Sequence, residues 1–246
     1  MVTVATASDL ETALERARGY EIDMDGVLYR GDAGLPYVND FLQALDRCRI
    51  PYVLATNNST RSPEQYVEKL AKMGVRVEAD RILTSGQATA ARMKAKYPRG
   101  TTVYVLGMQA LEEAVFGDGY FEPATTNAEV VVSGADFELT YDKLRIATLA
   151  IRSGAGSILA ALVAATSVEP EVIGKPSTGM LVQGAALLGT APAETVMLGD
   201  RLDTDILAGK RAGFITLLVL TGVSTLEELE SSEVQPDVVV PDLAPL

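Results

Sequence analysis

Short apolar runs alternate with amphipathic segments along most of the chain. The clearest runs are rich in strand-forming residues and predict strands at residues 20–24, 52–56, 101–106, 130–133, 195–198 and 214–219. Residues 62–74 predict a helix with Ser62 as its cap, Pro63 in the first turn and Gly74 as its stop. Strands that alternate with helices are typical of βαβ units, so the sequence predicts an α/β fold around a parallel sheet.

One stretch interrupts this alternation. Residues 140–151 and 155–165 both have helical patterns, yet only Arg152, Ser153 and Gly154 separate them. Successive helices around a parallel sheet normally have a strand between them. Two interpretations remain open, because the stretch either forms a helical hairpin or lacks a strand and its loop.

The composition restricts the chemistry that the chain can perform. Its 246 residues are 48% hydrophobic, which is enough for a globular core, but they include no histidine. Ser-His-Asp catalysis, Cys-His catalysis and imidazole metal sites are therefore excluded. The net charge of −12 argues against nucleic acid and membrane partners, and residues 1–18 resemble neither a secretion signal nor a membrane span. We therefore expect a cytoplasmic protein.

The first candidate site is an apolar strand that ends in two acids. Asp23 and Asp25 are followed by Gly26, which lets the chain turn so that both carboxylates can approach one ligand. Open α/β sheets bind their ligands at the carboxyl ends of the strands. Taken alone, the motif is more often a simple acidic turn at the end of a strand.

A second strand also ends in acids. Asp200 follows the strand at 195–198 after a glycine, and Asp205 comes five residues later, near the start of a helix. Two such strands can form an oxygen cage for a hard divalent cation, and magnesium is usually held by a few carboxylates, waters and a substrate phosphate. Asp203 lies between the two acids, and we interpret it as a helix cap.

Donors for a phosphate group follow a third strand. Thr56, Asn57 and Asn58 supply hydroxyl, amide and backbone N–H groups that could bind equatorial oxygens. Lys175 stands between a glycine and a proline, and it could place a cation beside a transferring phosphoryl group. Together, these features indicate phosphoryl chemistry run by carboxylates, a lysine and a metal.

These residues occur in an order that resembles the haloacid dehalogenase superfamily, specifically its NagD-like or 4-nitrophenylphosphatase branch. The resemblance rests on four motifs: Asp23-x-Asp25-Gly-Val, Thr56 in Thr-Asn-Asn-Ser, Lys175 in Gly-Lys-Pro, and Asp200 with Asp205 in Gly-Asp-x-x-x-x-Asp. It extends over nearly the whole chain. It implies a Rossmann-like core formed by residues 1–84 and 173–246, with a C2-type cap domain inserted at residues 85–172.

The resemblance also implies a reaction, namely magnesium-dependent hydrolysis of small phosphate monoesters through an aspartyl-phosphate. Asp23 would be the nucleophile, Asp25 the general acid and base, and Lys175 the cation that offsets negative charge. The expected magnesium ligands are acidic residues: Asp23, Asp25 through its backbone carbonyl, Asp200 and Asp205. The expected substrate-binding residues are polar: Thr56, Asn57, Asn58 and Lys175.

The cap departs from the pattern of its family. NagD-like caps continue from the helix at 140–151 into a strand and a loop that help to select the substrate, whereas here the next family helix follows at once. We therefore expect a shortened cap that lacks a strand and a loop near residues 154–155. The expected partners are a small phosphorylated metabolite and a second copy of the chain, paired through the cap. Two alternatives stay open: a phosphotransferase or mutase of the same fold, and a non-catalytic binding protein with a damaged cap.

Overall fold

The structure is a computed structural model that describes residues 6–125, 127–151, 163 and 166–246. Its helices are α1 (Ala7–Leu14), α2 (Val38–Cys48), α3 (Pro63–Lys72), α4 (Ser85–Lys96), α5 (Gln109–Phe116), α6 (Tyr141–Ile151), α7 (Gly179–Leu188), α8 (Leu207–Ala212) and α9 (Leu226–Ser231). Its strands are β1 (Gly19–Ile22), β2 (Tyr29–Arg30), β3 (Ala33–Gly34), β4 (Tyr52–Thr56), β5 (Ile82–Thr84), β6 (Thr102–Leu106), β7 (Glu122–Pro123), β8 (Val130–Ser133), β9 (Thr195–Gly199), β10 (Ile215–Val219) and β11 (Val238–Val240). Short 3-10 helices span Ala79–Arg81 and Pro192–Glu194, and a π-helix spans Leu202–Ile206.

The predicted α/β fold is confirmed. A six-stranded sheet has the order β11-β10-β9-β1-β4-β5, and β1 runs parallel to both of its neighbours. Every residue of β4, β9 and β10 is buried, which is the pattern of strands that are covered on both faces. Because β1 lies in the middle, its carboxyl end lies between those of β4 and β9.

The helices beside this sheet follow the apolar pattern of the sequence. In α2, the buried residues Val38, Phe41, Leu42 and Leu45 recur at intervals of three and four, so one stripe of the helix joins the core. Full burial of such a side chain contributes about 1.5–3 kcal/mol. The predicted helix at residues 62–74 is α3, which begins at Pro63.

The chain divides into two compact units. The first comprises Met1–Thr56, Pro63–Leu83 and Gly174–Leu246, and the second comprises Asn57–Ser62 and Thr84–Ile173. The role of the second unit as an inserted cap stays a prediction. The predicted break near residues 154–155 and the predicted helix at 155–165, apart from position 163, lie outside the described residues.

The second unit has a sheet of its own with the order β7-β6-β8, in which β6 runs parallel to both neighbours. One apolar cluster includes Met93 of α4 and Leu111 of α5 with residues of β6 and β8. Another includes Ala147 and Ala150 of α6. Helices therefore cover both faces of this smaller sheet, which gives the unit its own core. Among the described helices, none combines the length and the apolar character needed to cross a membrane.

Candidate active site

Three adjacent strands of the main sheet end in candidate site residues. Asp23 directly follows β1, and its backbone N–H donates to the carbonyl of Leu198 at 2.9 Å, which extends the pairing of β1 with β9 by one residue. Asp200 directly follows β9, and Thr56 is the buried last residue of β4. The parallel arrangement therefore brings the ends of sequence-distant segments to one edge of the sheet.

Lys175 connects two of the candidate acids. Its Nζ lies 2.5 Å from Oδ1 of Asp23 and 2.7 Å from Oδ1 of Asp205, and it also donates to the carbonyl of Ala55 at 3.3 Å. The side chains of Lys175 and Asp205 are 1% and 2% exposed, and that of Asp23 is 15% exposed. Water screens these charges little, so they interact strongly.

Asp200 completes a cluster of three carboxylates. One carboxylate oxygen from each of Asp23, Asp200 and Asp205 lies within 4.8 Å of the others. Oδ2 of Asp200 accepts the backbone N–H of Val223 at 2.7 Å, whereas its buried Oδ1 has no hydrogen-bond partner among the described residues. An orphaned buried oxygen is costly unless a ligand satisfies it. A set of carboxylate oxygens with one such atom fits a hard divalent cation.

The protonation equilibria reflect this crowding. Burial raises the pKa of Asp23 to about 7, with Lys175 lowering it and Asp205 raising it further. Burial also raises the pKa of Asp200 to about 6, against the hydrogen bond from Val223. Burial lowers the pKa of Lys175, but the Asp205 and Asp23 carboxylates outweigh it, so the net shift is upward and the ammonium stays charged. Three carboxylates therefore face one ammonium.

The other residues predicted for the site lie outside this cluster. Asp25 is exposed in the turn after β1, where Gly26 has a φ of +90° and donates its N–H to the carbonyl of Tyr29. Asn57 and Asn58 belong to the second unit. The side-chain oxygen of Asn58 accepts the N–H and the hydroxyl of Thr60 at 2.8 and 2.7 Å, so it holds its own turn.

The interpretation of Asp203 as a helix cap is wrong. Asp203 lies inside the π-helix, and its carboxylate accepts hydrogen bonds of 3.0 and 2.9 Å from the guanidinium of Arg201. Arg201 is also the residue that caps the π-helix, and its backbone N–H donates to Oδ2 of Asp205 at 3.1 Å. Asp205 thus accepts the backbone N–H at the start of the π-helix, while Asp203 forms an exposed ion pair with Arg201.

Sequence analysis missed two features near the site. Glu21 on β1 is fully buried against Gly184 of α7, and neither of its carboxylate oxygens makes a well-formed hydrogen bond within the described part of the chain. The sequence pattern that could have drawn attention to Glu21 is the alternation of acids at positions 21, 23 and 25, since alternate residues of a strand share a face. The second feature is the hydrogen bond from Val223, which no residue-type pattern indicated.

Comparisons with known proteins place the chain in a family. A family model described as "Haloacid dehalogenase-like hydrolase" matches residues 20–120, and one described as "HAD-hydrolase-like" matches residues 172–246. An acid sugar phosphatase from Staphylococcus epidermidis is 35% identical over 94% of this chain and 96% of that protein.

Solved structures agree with this assignment. NagD from Escherichia coli K-12 is similar with a TM-score of 0.88 at 27% identity, covering 94% of this chain and 98% of that one. A glycerol phosphate phosphatase from Mycobacterium tuberculosis, solved in complex with magnesium, has a TM-score of 0.86 at 27% identity, covering 95% of this chain and 77% of that one. The chain therefore belongs to the haloacid dehalogenase-like hydrolases, in their NagD-like branch, and is a phosphoric monoester hydrolase of that family.

Proposed function

We propose that the chain hydrolyses small phosphate monoesters in a magnesium-dependent reaction, with an aspartyl-phosphate formed on Asp23. One observation carries this proposal, namely the Lys175 ammonium bound to both Asp23 and Asp205 beside the third carboxylate, Asp200. By their names, the relatives act on sugar phosphates and glycerol phosphate. We extend this substrate class, a small phosphorylated metabolite, to the chain.

The residues that would hold magnesium are Asp23, Asp200 and Asp205, together with the backbone carbonyl of Asp25. Bound magnesium would supply charge neutralisation for the phosphate and for the crowded carboxylates. The orphaned Oδ1 of Asp200 and the excess of negative charge in the cluster support this assignment.

Two aspartates, Asp23 and Asp25, carry out the proposed bond-making and proton-transfer steps. A carboxylate oxygen of Asp23 attacks phosphorus in line, and the bond from phosphorus to the ester oxygen breaks while Asp25 gives that oxygen a proton. Asp25 then takes a proton from a water molecule, whose oxygen attacks the phosphorus of the aspartyl-phosphate. The bond from phosphorus to the Asp23 oxygen breaks, which releases inorganic phosphate and restores the Asp23 carboxylate. Asp25 is exposed to solvent, as a group that exchanges protons with a leaving alcohol and with water needs to be.

Lys175 orients the nucleophile and attracts the phosphate in this proposal, and Thr56 supplies a hydroxyl. The ammonium of Lys175 fixes one oxygen of Asp23, which leaves the other available to react, and its charge attracts the substrate phosphate. Thr56, at the end of β4, offers a hydroxyl at the same edge of the sheet. The assignment of Asn57 and Asn58 as further phosphate donors stays a prediction from the sequence.

The test is hydrolysis of 4-nitrophenyl phosphate by the purified chain, with and without magnesium. We expect nitrophenol release that requires magnesium and disappears in Asp23→Asn, because an amide is not a usable nucleophile. Quenched reactions with a labelled substrate should trap phosphate on the wild-type protein. Asp32→Asn is the matched control, since Asp32 is exposed in the turn between β2 and β3. Turnover by Asp23→Asn at the rate of the control would refute the mechanism.

A further inference from the structure

Residues 220–224, which follow β10, form hydrogen bonds with one carboxylate oxygen and with the backbone carbonyl of Asp200. The backbone N–H of Val223 donates to Oδ2 of Asp200 at 2.7 Å, and that of Ser224 donates to the Asp200 carbonyl at 3.1 Å. The hydroxyl of Ser224 accepts the N–H of Leu202 at 3.1 Å, so the segment is also bonded to the residues after Asp200. Both the main chain and the side chain of Asp200 are therefore fixed by this one segment.

Two glycines face the same carboxylate. A methyl group added to Gly26 or to Gly222 would overlap the side chain of Asp200. The turn after β1 and the segment after β10 therefore both approach Asp200 as closely as backbone can. Only residues without a Cβ permit this double approach.

Two side chains join the turn after β1 to the segment after β10. Oγ1 of Thr221 donates to the carbonyl of Gly26 at 2.6 Å, and Nη2 of Arg30 donates to the carbonyl of Gly222 at 2.8 Å. Thr221 thus holds the turn that carries Asp25, and Arg30 holds the glycine that packs on Asp200. We call these two hydrogen bonds, from Thr221 to Gly26 and from Arg30 to Gly222, the Asp200 clasp.

We propose that Arg30 and Thr221 are positioning residues, which keep the N–H of Val223 on Oδ2 of Asp200 so that Oδ1 remains available to the cation. The inference rests on the proposed function, because it requires Asp200 to be a metal ligand. Partners that orient a ligating carboxylate control metal affinity, and their removal typically weakens binding by about 10- to 100-fold. Neither residue is required to touch the substrate in this role.

The test measures Mg²⁺ binding directly, by isothermal titration calorimetry of the full chain without substrate. Thr221→Val removes only a hydroxyl, and Arg30→Met removes only the donor group of a long side chain. We expect each variant to bind Mg²⁺ about tenfold more weakly. Arg30→Lys keeps one donor and should recover part of the affinity. At saturating Mg²⁺, kcat of Arg30→Met should return to near the wild-type value, because Arg30 bonds to Gly222 and the defect lies in the occupancy of the metal site.

The controls remove the same kinds of hydrogen bond elsewhere. Oγ1 of Thr101 donates to the carbonyl of Pro98 at 2.9 Å, and Nη2 of Arg99 donates to that of Gly119 at 3.2 Å, all within the second unit. Thr101→Val and Arg99→Met should bind Mg²⁺ as the wild type does. Melting temperatures in EDTA should be similar for the clasp variants and for these controls.

Three results would overturn the proposed positioning role of Arg30 and Thr221. The first is an Mg²⁺ affinity within about twofold of the wild type in both Thr221→Val and Arg30→Met, given the larger loss expected for an orienting partner. The second is the same weakening in the controls. The third is a large drop in the melting temperature in EDTA with turnover that excess Mg²⁺ does not restore, which would indicate a purely structural role. A wild-type chain that binds no Mg²⁺ would instead refute the proposed function, and the clasp with it.

Discussion

Replacement of Glu21 should stabilise the protein, and the gain should depend on pH. Glu21 is fully buried on β1, and neither carboxylate oxygen makes a well-formed hydrogen bond with the described residues. Burial raises the pKa of Glu21 to about 9, because the charged form loses its hydration. The charge of Lys175 and the backbone N–H of Ala185 act in the opposite direction and do not cancel this effect.

The magnitude follows from proton linkage. The folded state keeps the Glu21 proton up to about pH 9, whereas an unfolded chain releases it near pH 4.5. Between these values the folded state binds more protons, so the free energy of unfolding falls by about 1.4 kcal/mol per pH unit. At pH 7 the accumulated cost is about 3 kcal/mol, a large fraction of the 5–15 kcal/mol by which proteins are typically stable.

Two substitutions separate the charge from the polarity of the side chain. Glu21→Gln is nearly isosteric and cannot ionise, so its advantage over the wild type should be small near pH 5 and grow by about 1.4 kcal/mol per pH unit above it. Glu21→Leu also removes the unsatisfied polar atoms, which adds about 1–3 kcal/mol at every pH. Glu68→Gln is the control, because this exposed glutamate of α3 keeps its contact with water in both states.

The assay is urea unfolding in EDTA, followed by circular dichroism, at several pH values from about 5 to about 8, where the linkage slope applies. Chelation removes any metal from the neighbouring carboxylates, and the difference between each variant and the wild type cancels their own titration. An advantage of Glu21→Gln that does not change with pH would refute the reasoning. It would mean that Glu21 reaches water or a hydrogen-bond partner in the folded protein.

Three further outcomes follow from the carboxylate cluster. Lys175→Met should lower kcat by at least about 100-fold and lower the melting temperature in EDTA, because the three clustered carboxylates lose their ammonium. Added Mg²⁺ should recover part of the lost melting temperature. Gly222→Ala should weaken Mg²⁺ binding in calorimetry by about tenfold or more, because its methyl group overlaps Asp200. The apparent Mg²⁺ affinity should fall as the pH drops from 8 to 6, with proton uptake on release of the metal, since the pKa of Asp23 is about 7 and that of Asp200 about 6. An affinity that is flat across this range would contradict the shared site.

The fold could be predicted because its strands are short, buried and bounded by polar residues. The runs at 52–56 and 130–133 coincide with β4 and β8. The run at 20–24 extends beyond β1, which ends at Ile22, because Asp23 makes one further hydrogen bond to β9 and Met24 is buried in the turn that follows. Apolar periodicity reports burial, and burial continues past the last ladder hydrogen bond at this site.

The convergence of the acids could also be predicted, whereas their individual environments could not. Parallel strands place their carboxyl ends at one edge, so the neighbourhood of Asp23 and Asp200 follows from topology. Which later acid turns inward depends on the π-helix, whose extra residue per turn buries Asp205 and leaves Asp203 beside Arg201. That choice requires the backbone path, and residue spacing alone does not contain it.

Under the proposed function, the charge balance of the cluster would make a metal ion and a proton compete for the same carboxylates. One ammonium faces three carboxylates, two of them nearly inaccessible to water, and without a cation the elevated pKa of Asp23 lets a proton take up part of the excess negative charge near neutral pH. A protonated Asp23 is a poor nucleophile. A divalent cation neutralises the same excess without blocking the reacting oxygen, so its binding would both displace the proton and release the carboxylate for attack. Under the proposed function, the burial that makes the cluster unfavourable without a cation would therefore favour the binding of a small, doubly charged ion.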